Sequence, residues 1–380
     1  MLLPHSYTGR GPAESCVRIL ASFPQGPLDT TLFVLRLRKA VHPGLKVVQG
    51  AGPILRRLPF RQMHKSASAK LFKKFARAID QAEPGTIVWF WPGGPSELVQ
   101  RAKDRGLITV GEMINSPMAH AKSVLDAAYV ARGLVPAHGI GDGDVARENE
   151  VLALYDRLFA SNAEVEAALI TWGVSPSRIL STSFGWDRRR FPKGAGQTRD
   201  ANTPFTACFV GLMNVRKGLP DLLDAWRLSG IKGELVLAGR VEPSLQPMVD
   251  AAIGAGNVRH LGQVDDVASL YRNCDVFVFP TLEEGGPQVT YEAAACSLPV
   301  ITTPMGAARL VRDAETGLLV EAGNVIALAQ ALKRFAADTA LRKRCGEAAR
   351  SKADEFEYGV VGAARMAQLC GLLRNCEQTD

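Results

Sequence analysis

The stretch Pro280-Thr-Leu-Glu-Glu-Gly-Gly-Pro-Gln-Val-Thr-Tyr-Glu-Ala-Ala-Ala-Cys-Ser-Leu-Pro-Val300 joins two apolar runs, Asp275-Val-Phe-Val-Phe279 before it and Leu298-Pro-Val-Ile-Thr302 at its end. A strand ends, a loop with paired glycines follows, a helix of small residues begins near Val289, and a second strand enters. Strand, helix, strand at this spacing predicts a parallel unit whose strands are buried on both faces. In such a sheet the ligand crevice lies beyond the carboxyl ends of the strands. Loop amides near Gly285, Gly286 and Gln288, bordered by Pro287 and Val289, can there face an anion, because free N–H groups and the helix dipole favour negative charge. Glu292, on the first turns of the helix, is placed to accept hydrogen bonds from a vicinal diol such as ribose, each worth about 1.5–3 kcal/mol. The plainer reading makes Glu283, Glu284 and Glu292 solvated acids near a helix N-terminus.

The same alternation runs outward in both directions. Phe205 to Val210, Glu234 to Ala238 and Val258 to Leu261 read as strands of the same half. In the first half, Thr86-Ile-Val-Trp-Phe-Trp91 and Leu107-Ile-Thr-Val110 flank a helical pattern from Ser96 to Arg105. The fold class is therefore α/β, with two doubly wound, Rossmann-like parallel-sheet domains facing a cleft. A chain of 380 residues is long enough for two such cores. The expected boundaries are 1–190 for an acceptor-side domain, 191–355 for a nucleotide-sugar domain and 356–380 for a helix that crosses back. The polar stretch from Gly185 to Pro204 reads as the linker.

Composition is that of a globular chain: 47% hydrophobic, 22% charged and a mean hydropathy of +0.01. No apolar run is long enough to span a bilayer, and Met1 to Tyr7 does not resemble a signal peptide, so a cytoplasmic location is expected. Seven scattered cysteines lack metal-ligand or disulfide spacing. The formal charge of +7 favours anionic partners, but no nucleic-acid recognition module accompanies it, so no nucleic acid is expected. Arg56, Arg57, Arg61, Lys65, Lys70, Lys73, Lys74 and Arg77 follow one another without an acidic residue, around the helically spaced Leu71, Phe72, Phe75, Ala76 and Ile79. This reads as a basic amphipathic helix, a solvated face or a docking surface for the inner face of an anionic membrane.

The motifs resemble those of the retaining glycosyltransferases of family 4, the glycosyl transferases of group 1. That family carries a Glu, seven residues, and a second Glu before a small-residue helix and a Pro-Val-Ile strand, a spacing matched by Glu284 and Glu292. Phe209-Val-Gly-Leu-Met-Asn-Val-Arg-Lys-Gly218, Leu237-Ala-Gly239, His260-Leu-Gly-Gln-Val264 and Ser183-Phe-Gly-Trp-Asp187 resemble further elements in order. Residues before about 145 match weakly. The resemblance implies a GT-B architecture and a nucleotide diphosphate sugar as co-substrate, with no metal or other cofactor, and a glycan, lipid-linked or other hydroxyl acceptor. By it, Lys217 with Arg216 would hold the donor diphosphate, Glu284 a sugar hydroxyl and Glu292 the ribose. Gly9, Gly11, Gly211, Gly239, Gln263 and Val264 would line the donor site.

Two departures stand out. Leu212 occupies a place where many relatives have an arginine, and Arg216 is the replacement cation. Where relatives carry a histidine after the strand at Leu107 to Val110, this chain has Glu112, with His120 eight residues on; both are candidate sugar contacts. Trp89, Phe90 and Trp91 read as core packing, or with Pro92-Gly-Gly-Pro95 as an acceptor pocket. A nucleotide-sugar epimerase or hydrolase on the same fold, and a binding subunit with weak turnover, are the competing readings.

Overall fold

The computed structural model describes residues 1–9, 11–192 and 203–377; most of the linker expected before Pro204 lies outside them. The first lobe runs β1 (Leu2–Tyr7), α1 (Pro12–Leu20), β2 (Thr31–Leu37), β3 (Lys46–Gln49), α2 (Phe60–Asp80), β4 (Ile87–Phe90), α3 (Ser96–Asp104), β5 (Ile108–Met113), α4 (Met118–Ala131), α5 (Asp142–Leu154), β6 (Arg157–Ala160), α6 (Ala163–Thr171) and β7 (Ile179–Ser181). Its strands are ordered β3-β2-β1-β4-β5-β6-β7, and each neighbouring pair is parallel.

The second lobe runs β8 (Phe205–Val210), α7 (Leu219–Ser229), β9 (Gly233–Ala238), α8 (Gln246–Gly254), β10 (Val258–His260), α9 (Val267–Arg272), β11 (Val276–Phe279), α10 (Gln288–Ala295), β12 (Val300–Thr302), β13 (Gly317–Leu319), α11 (Val325–Ala337) and α12 (Thr339–Ala353). Its order is β10-β9-β8-β11-β12-β13, again parallel throughout. Strand order reverses between β1 and β4 in one sheet and between β8 and β11 in the other. These are the switch points at which open α/β sheets bind ligands.

The last helix, α13 (Tyr358–Glu377), lies on the first lobe although it follows the second. Gly362 packs so closely on α1 that a Cβ there would stand 2.6 Å from the Ile19 carbonyl oxygen. The outward and return crossings run side by side. Trp186 and Glu357 form a parallel bridge, the Trp186 amide donates to the Phe356 carbonyl at 3.1 Å, and the Tyr358 amide donates to the Trp186 carbonyl at 3.1 Å.

Deep under α13, the Arg365 guanidinium meets Glu112 of β5 at 2.7 Å with neither side chain exposed. It also donates to the Ser183 carbonyl at 2.8 Å and lies over Phe159, 4.9 Å from the ring centre. Glu112 is therefore no sugar contact: both its oxygens are taken by Arg365, and burial outweighs that cation in raising its pKa. Trp89 and Trp91 are likewise buried in the core, in keeping with the core-packing reading.

The basic helix forms as α2, but its apolar stripe of Met63, Ala67, Leu71, Phe75 and Ile79 is buried against the sheet. Only its basic face is left for a partner. No described helix is long and apolar enough to cross a membrane.

Replacing one member of a buried ion pair strands the other charge. Arg365→Met is expected to lower unfolding free energy by about 3–5 kcal/mol in urea titrations, while Arg365→Met with Glu112→Leu recovers most of it. A single variant as stable as wild type would contradict this role.

Candidate functional site

The loops after β8 and β11 meet at the second lobe's switch point. Gly218 makes the meeting geometrically feasible: at φ +70°, a Cβ on it would stand 2.0 Å from the Pro280 carbonyl oxygen. Leu282 donates its amide to the Arg216 carbonyl at 2.9 Å, and Thr281 donates its hydroxyl to the same oxygen at 3.1 Å. Lys217 and Arg216 are thus held beside Glu283 and Glu284. The Lys217 ammonium pairs with Glu284 and lies 5.6 Å from the Phe279 ring centre. Burial and the Arg216 charge push its pKa well below the ordinary lysine value, against an opposite pull from Glu283.

Arg216 contacts the Glu283 carboxylate at 2.6 Å and reaches across the cleft to donate to Asn115 Oδ1 at 2.7 Å. The second oxygen of Glu283 accepts from the Ser116 amide at 2.9 Å and hydroxyl at 2.8 Å. Glu283, read from the sequence only as a solvated acid, is buried and joins the lobes. Its partners Arg216 and Ser116 lie 67 and 167 positions away, so no local pattern announces it.

Gly285 and Gly286 serve this closure. A Cβ on Gly285 would lie 1.9 Å from the Ile114 carbonyl oxygen, and one on Gly286 would lie 2.1 Å from Phe184. Ser161 donates to the Gly285 carbonyl at 3.0 Å. Pro287 caps α10, and the Gln288 amide side chain donates to Tyr358 Oη at 2.8 Å and also contacts Ser15. Tyr271 Oη reaches the Val289 carbonyl at 3.4 Å. Arg132 of α4 pairs with Asp221 and, at 3.0 Å, with Asp224 of α7, closing the cleft further along.

One turn into α10, Glu292 faces Arg190 at 3.8 Å, and that guanidinium is 3.7 Å from Glu14 of α1. Burial, with Glu14 adding to it and Arg190 opposing, raises the Glu292 pKa from 4.5 to about 7. The carboxyl ends of β8 and β9 enclose a cleft of about 240 Å³ lined by Gly211, Leu212, Gly239, Arg240, Gln263 and Val264. Leu212 is 46% exposed. Gly9 and Gly11, at φ +78° and +73°, form the turn ahead of α1. His120 is half-buried on the first turn of α4, and among the described residues no hydrogen bond ties it to the second lobe's cations. A larger hollow of about 630 Å³ between Phe33, Phe75, Trp89 and Leu369 opens at the amino ends of β1, β2 and β4, away from this crevice.

Residues 204–338, which include both loops, match the family described as glycosyl transferases group 1. The resemblance read from the motifs agrees with this match over the second lobe, and the whole chain has the two-lobed GT-B fold. The chain is 33% identical over 212 residues, 53% of its length and 55% of the relative's, to the capsular polysaccharide biosynthesis glycosyltransferase CapM of Staphylococcus aureus. It is 34% identical over 174 residues, 42% of its length and 45% of the relative's, to a phosphatidyl-myo-inositol mannosyltransferase of Mycobacterium leprae. The chain thus spans about half the length of the curated relatives it matches. Among solved structures, the sucrose-phosphate synthase of Thermosynechococcus elongatus superposes with a TM-score of 0.74 at 19% identity, covering 98% of this chain and 95% of that one. HepE of Anabaena in complex with UDP-glucose superposes at 0.66 and 16% identity, covering 98% and 99%.

The raised Glu292 pKa has a sign that can be checked. From pH 4.5 to about 7 the folded chain keeps a proton that the unfolded chain releases, so this group's contribution to stability falls as pH rises through that window. Glu292→Gln is expected to match wild type below it and to be more stable above it, by on the order of 1–3 kcal/mol. Denaturation at several pH values measures this; a pH-independent difference would remove the assignment.

Proposed function

We propose that the protein is a retaining glycosyltransferase, transferring a sugar from a nucleotide diphosphate donor held by the second lobe to a hydroxyl acceptor at the first, in envelope polysaccharide or glycoconjugate synthesis. The reading is carried by the meeting of Arg216, Lys217 and Glu284 at one switch point, with Glu292 on the helix that leaves it, within the segment that matches the family. The donor diphosphate takes over Lys217 from Glu284, while Arg216, kept in place by Glu283, lends its remaining guanidinium charge. Glu284, released from Lys217, accepts from a sugar hydroxyl, and Glu292 accepts from the ribose. The nucleoside occupies the cleft at Gly211, Gly239, Gln263 and Val264.

The anomeric carbon–oxygen bond breaks with the electron pair leaving on the diphosphate, where Lys217, Arg216 and the loop amides stabilise the charge. The acceptor oxygen attacks the same face, and its proton passes to the departing phosphate. His120 lies on the acceptor side of this arrangement as a sugar-contact candidate. The two cations take the place of a metal ion. The exposed basic face of α2 with Arg56 and Arg57, next to Ile54 at 81% and Phe60 at 48% exposure, would rest on an anionic membrane at its cytoplasmic face and present a lipid-linked acceptor.

Thermal shift against UDP- and GDP-sugars identifies the donor, since a ligand bound only by the folded chain raises its apparent stability. Lys217→Ala is expected to reduce kcat/KM by about a hundredfold or more, the loss of one charge-stabilising contact, and Glu292→Ala to act chiefly on donor KM. Chelation is expected to leave turnover unchanged. Epimerised or hydrolysed donor without acceptor-dependent transfer would overturn the reading, as would donor binding without turnover across a broad acceptor panel.

A further inference from the structure

At the first lobe's mouth, the carboxyl ends of β1 and β2 hold a charge that the fold leaves uncompensated. Arg36, near the end of β2, is only 4% exposed. One terminal nitrogen donates to the Leu58 carbonyl at 3.1 Å, but its Nε is buried without a partner. Among the described residues no carboxylate pairs with Arg36. The charged neighbour acting on it is Arg38, which together with burial lowers its pKa. Taking a cation out of water without a counter-ion is unfavourable, and an anion seated beside it would relieve that cost.

Further donors and charges stand around it. Ser6 is the register partner of Arg36 across the β1–β2 pairing, which shifts register between Leu3 and Ser6. Irregularities of this kind re-aim side chains beside functional sites. The Ser6 hydroxyl is also buried without a partner. Lys39 lies over the turn at Gly9, where a Cβ would come within 3.0 Å of its Nζ. From Thr30 to Ile79 the chain contains no acidic residue, so a monoanionic or dianionic group entering here meets no repulsion from that stretch. Arg36 and Ser6 offer directed donors, while Arg38 and Lys39 supply charge at the rim; this is the donor set of a phosphoryl site.

We propose that this first-lobe site binds a phosphoryl group on the acceptor, so that the acceptor class is a phosphorylated alcohol or a phospholipid rather than a neutral sugar. The inference rests on the glycosyltransferase reading for the word acceptor, but the anion site itself is testable apart from it. The donor diphosphate belongs to the second lobe, across the cleft from Arg36.

Calorimetric titration of the full chain, with UDP or GDP present in excess, uses glycerol 1-phosphate as probe and glycerol as the uncharged control. Saturable binding of the first and not the second is expected. Arg36→Gln, and separately the exposed pair Arg38→Gln with Lys39→Gln, should weaken it by about tenfold to a hundredfold, the loss of a charge-assisted bond, with nucleotide affinity unchanged. The rim pair keeps the test decisive if Arg36→Gln folds poorly. Phosphatidylcholine vesicles carrying phosphatidic acid, against vesicles of equal charge carrying phosphatidylserine, assign the phosphate to a lipid if only the former show binding sensitive to the variants. Wild type that binds nucleotide but not glycerol 1-phosphate, or variants that bind it as tightly as wild type, would overturn this proposal alone. Failure to bind any nucleotide would instead defeat the donor reading.

Discussion

One buried carboxylate sets the relation between the two lobes. Glu283 receives Arg216 on one oxygen and the Ser116 amide and hydroxyl on the other, so the same group orients a cation of the donor crevice and anchors the loop after β5. A carboxylate with all its partners in place is tolerated in the interior; with any one missing it is costly. The cleft therefore has a preferred closed arrangement in which Arg216 is already aimed. The glycines that follow it allow the loop from Ile114 to Ser116 to come within contact of the second lobe's backbone.

Much of the second lobe is legible in its sequence because its information is local. Val276 to Phe279 and Leu298 to Ile301 are apolar throughout, as parallel strands buried on both faces require; the structure ends these strands within a residue or two of the expected bounds. The Glu284 and Glu292 spacing is likewise local. What escaped was long-range. Glu112 looked like a substitute for a cleft residue, yet its partner Arg365 is 253 positions away and no periodicity connects them. The helical spacing of Leu71, Phe75 and Ile79 was read correctly as one face, but spacing alone does not say whether that face meets a lipid surface or the chain's own sheet.

The two lobes also divide the labour unevenly. On the proposed reading the second lobe holds its donor with backbone amides and a few charged residues at a switch point, and residues 204–338 are the part that matches the family. The first lobe keeps the same strand order but fills its mouth with residues of its own, among them Ser6, Arg36 and Lys39. Recognition of an acceptor has no common chemical denominator comparable to a diphosphate, so the same sheet presents different side chains at its rim.

The paired crossings at Trp186 and Glu357 restrict how the molecule can move. Two strands of chain tied by reciprocal amide bonds and by the Trp186 indole nitrogen donating to the Ala353 carbonyl at 2.6 Å behave as a single pivot. Sliding or corkscrewing one lobe past the other would shear these bonds, whereas swinging about them leaves them whole. Opening and closing of the cleft would then follow one arc, and a residue's travel would scale with its distance from Trp186.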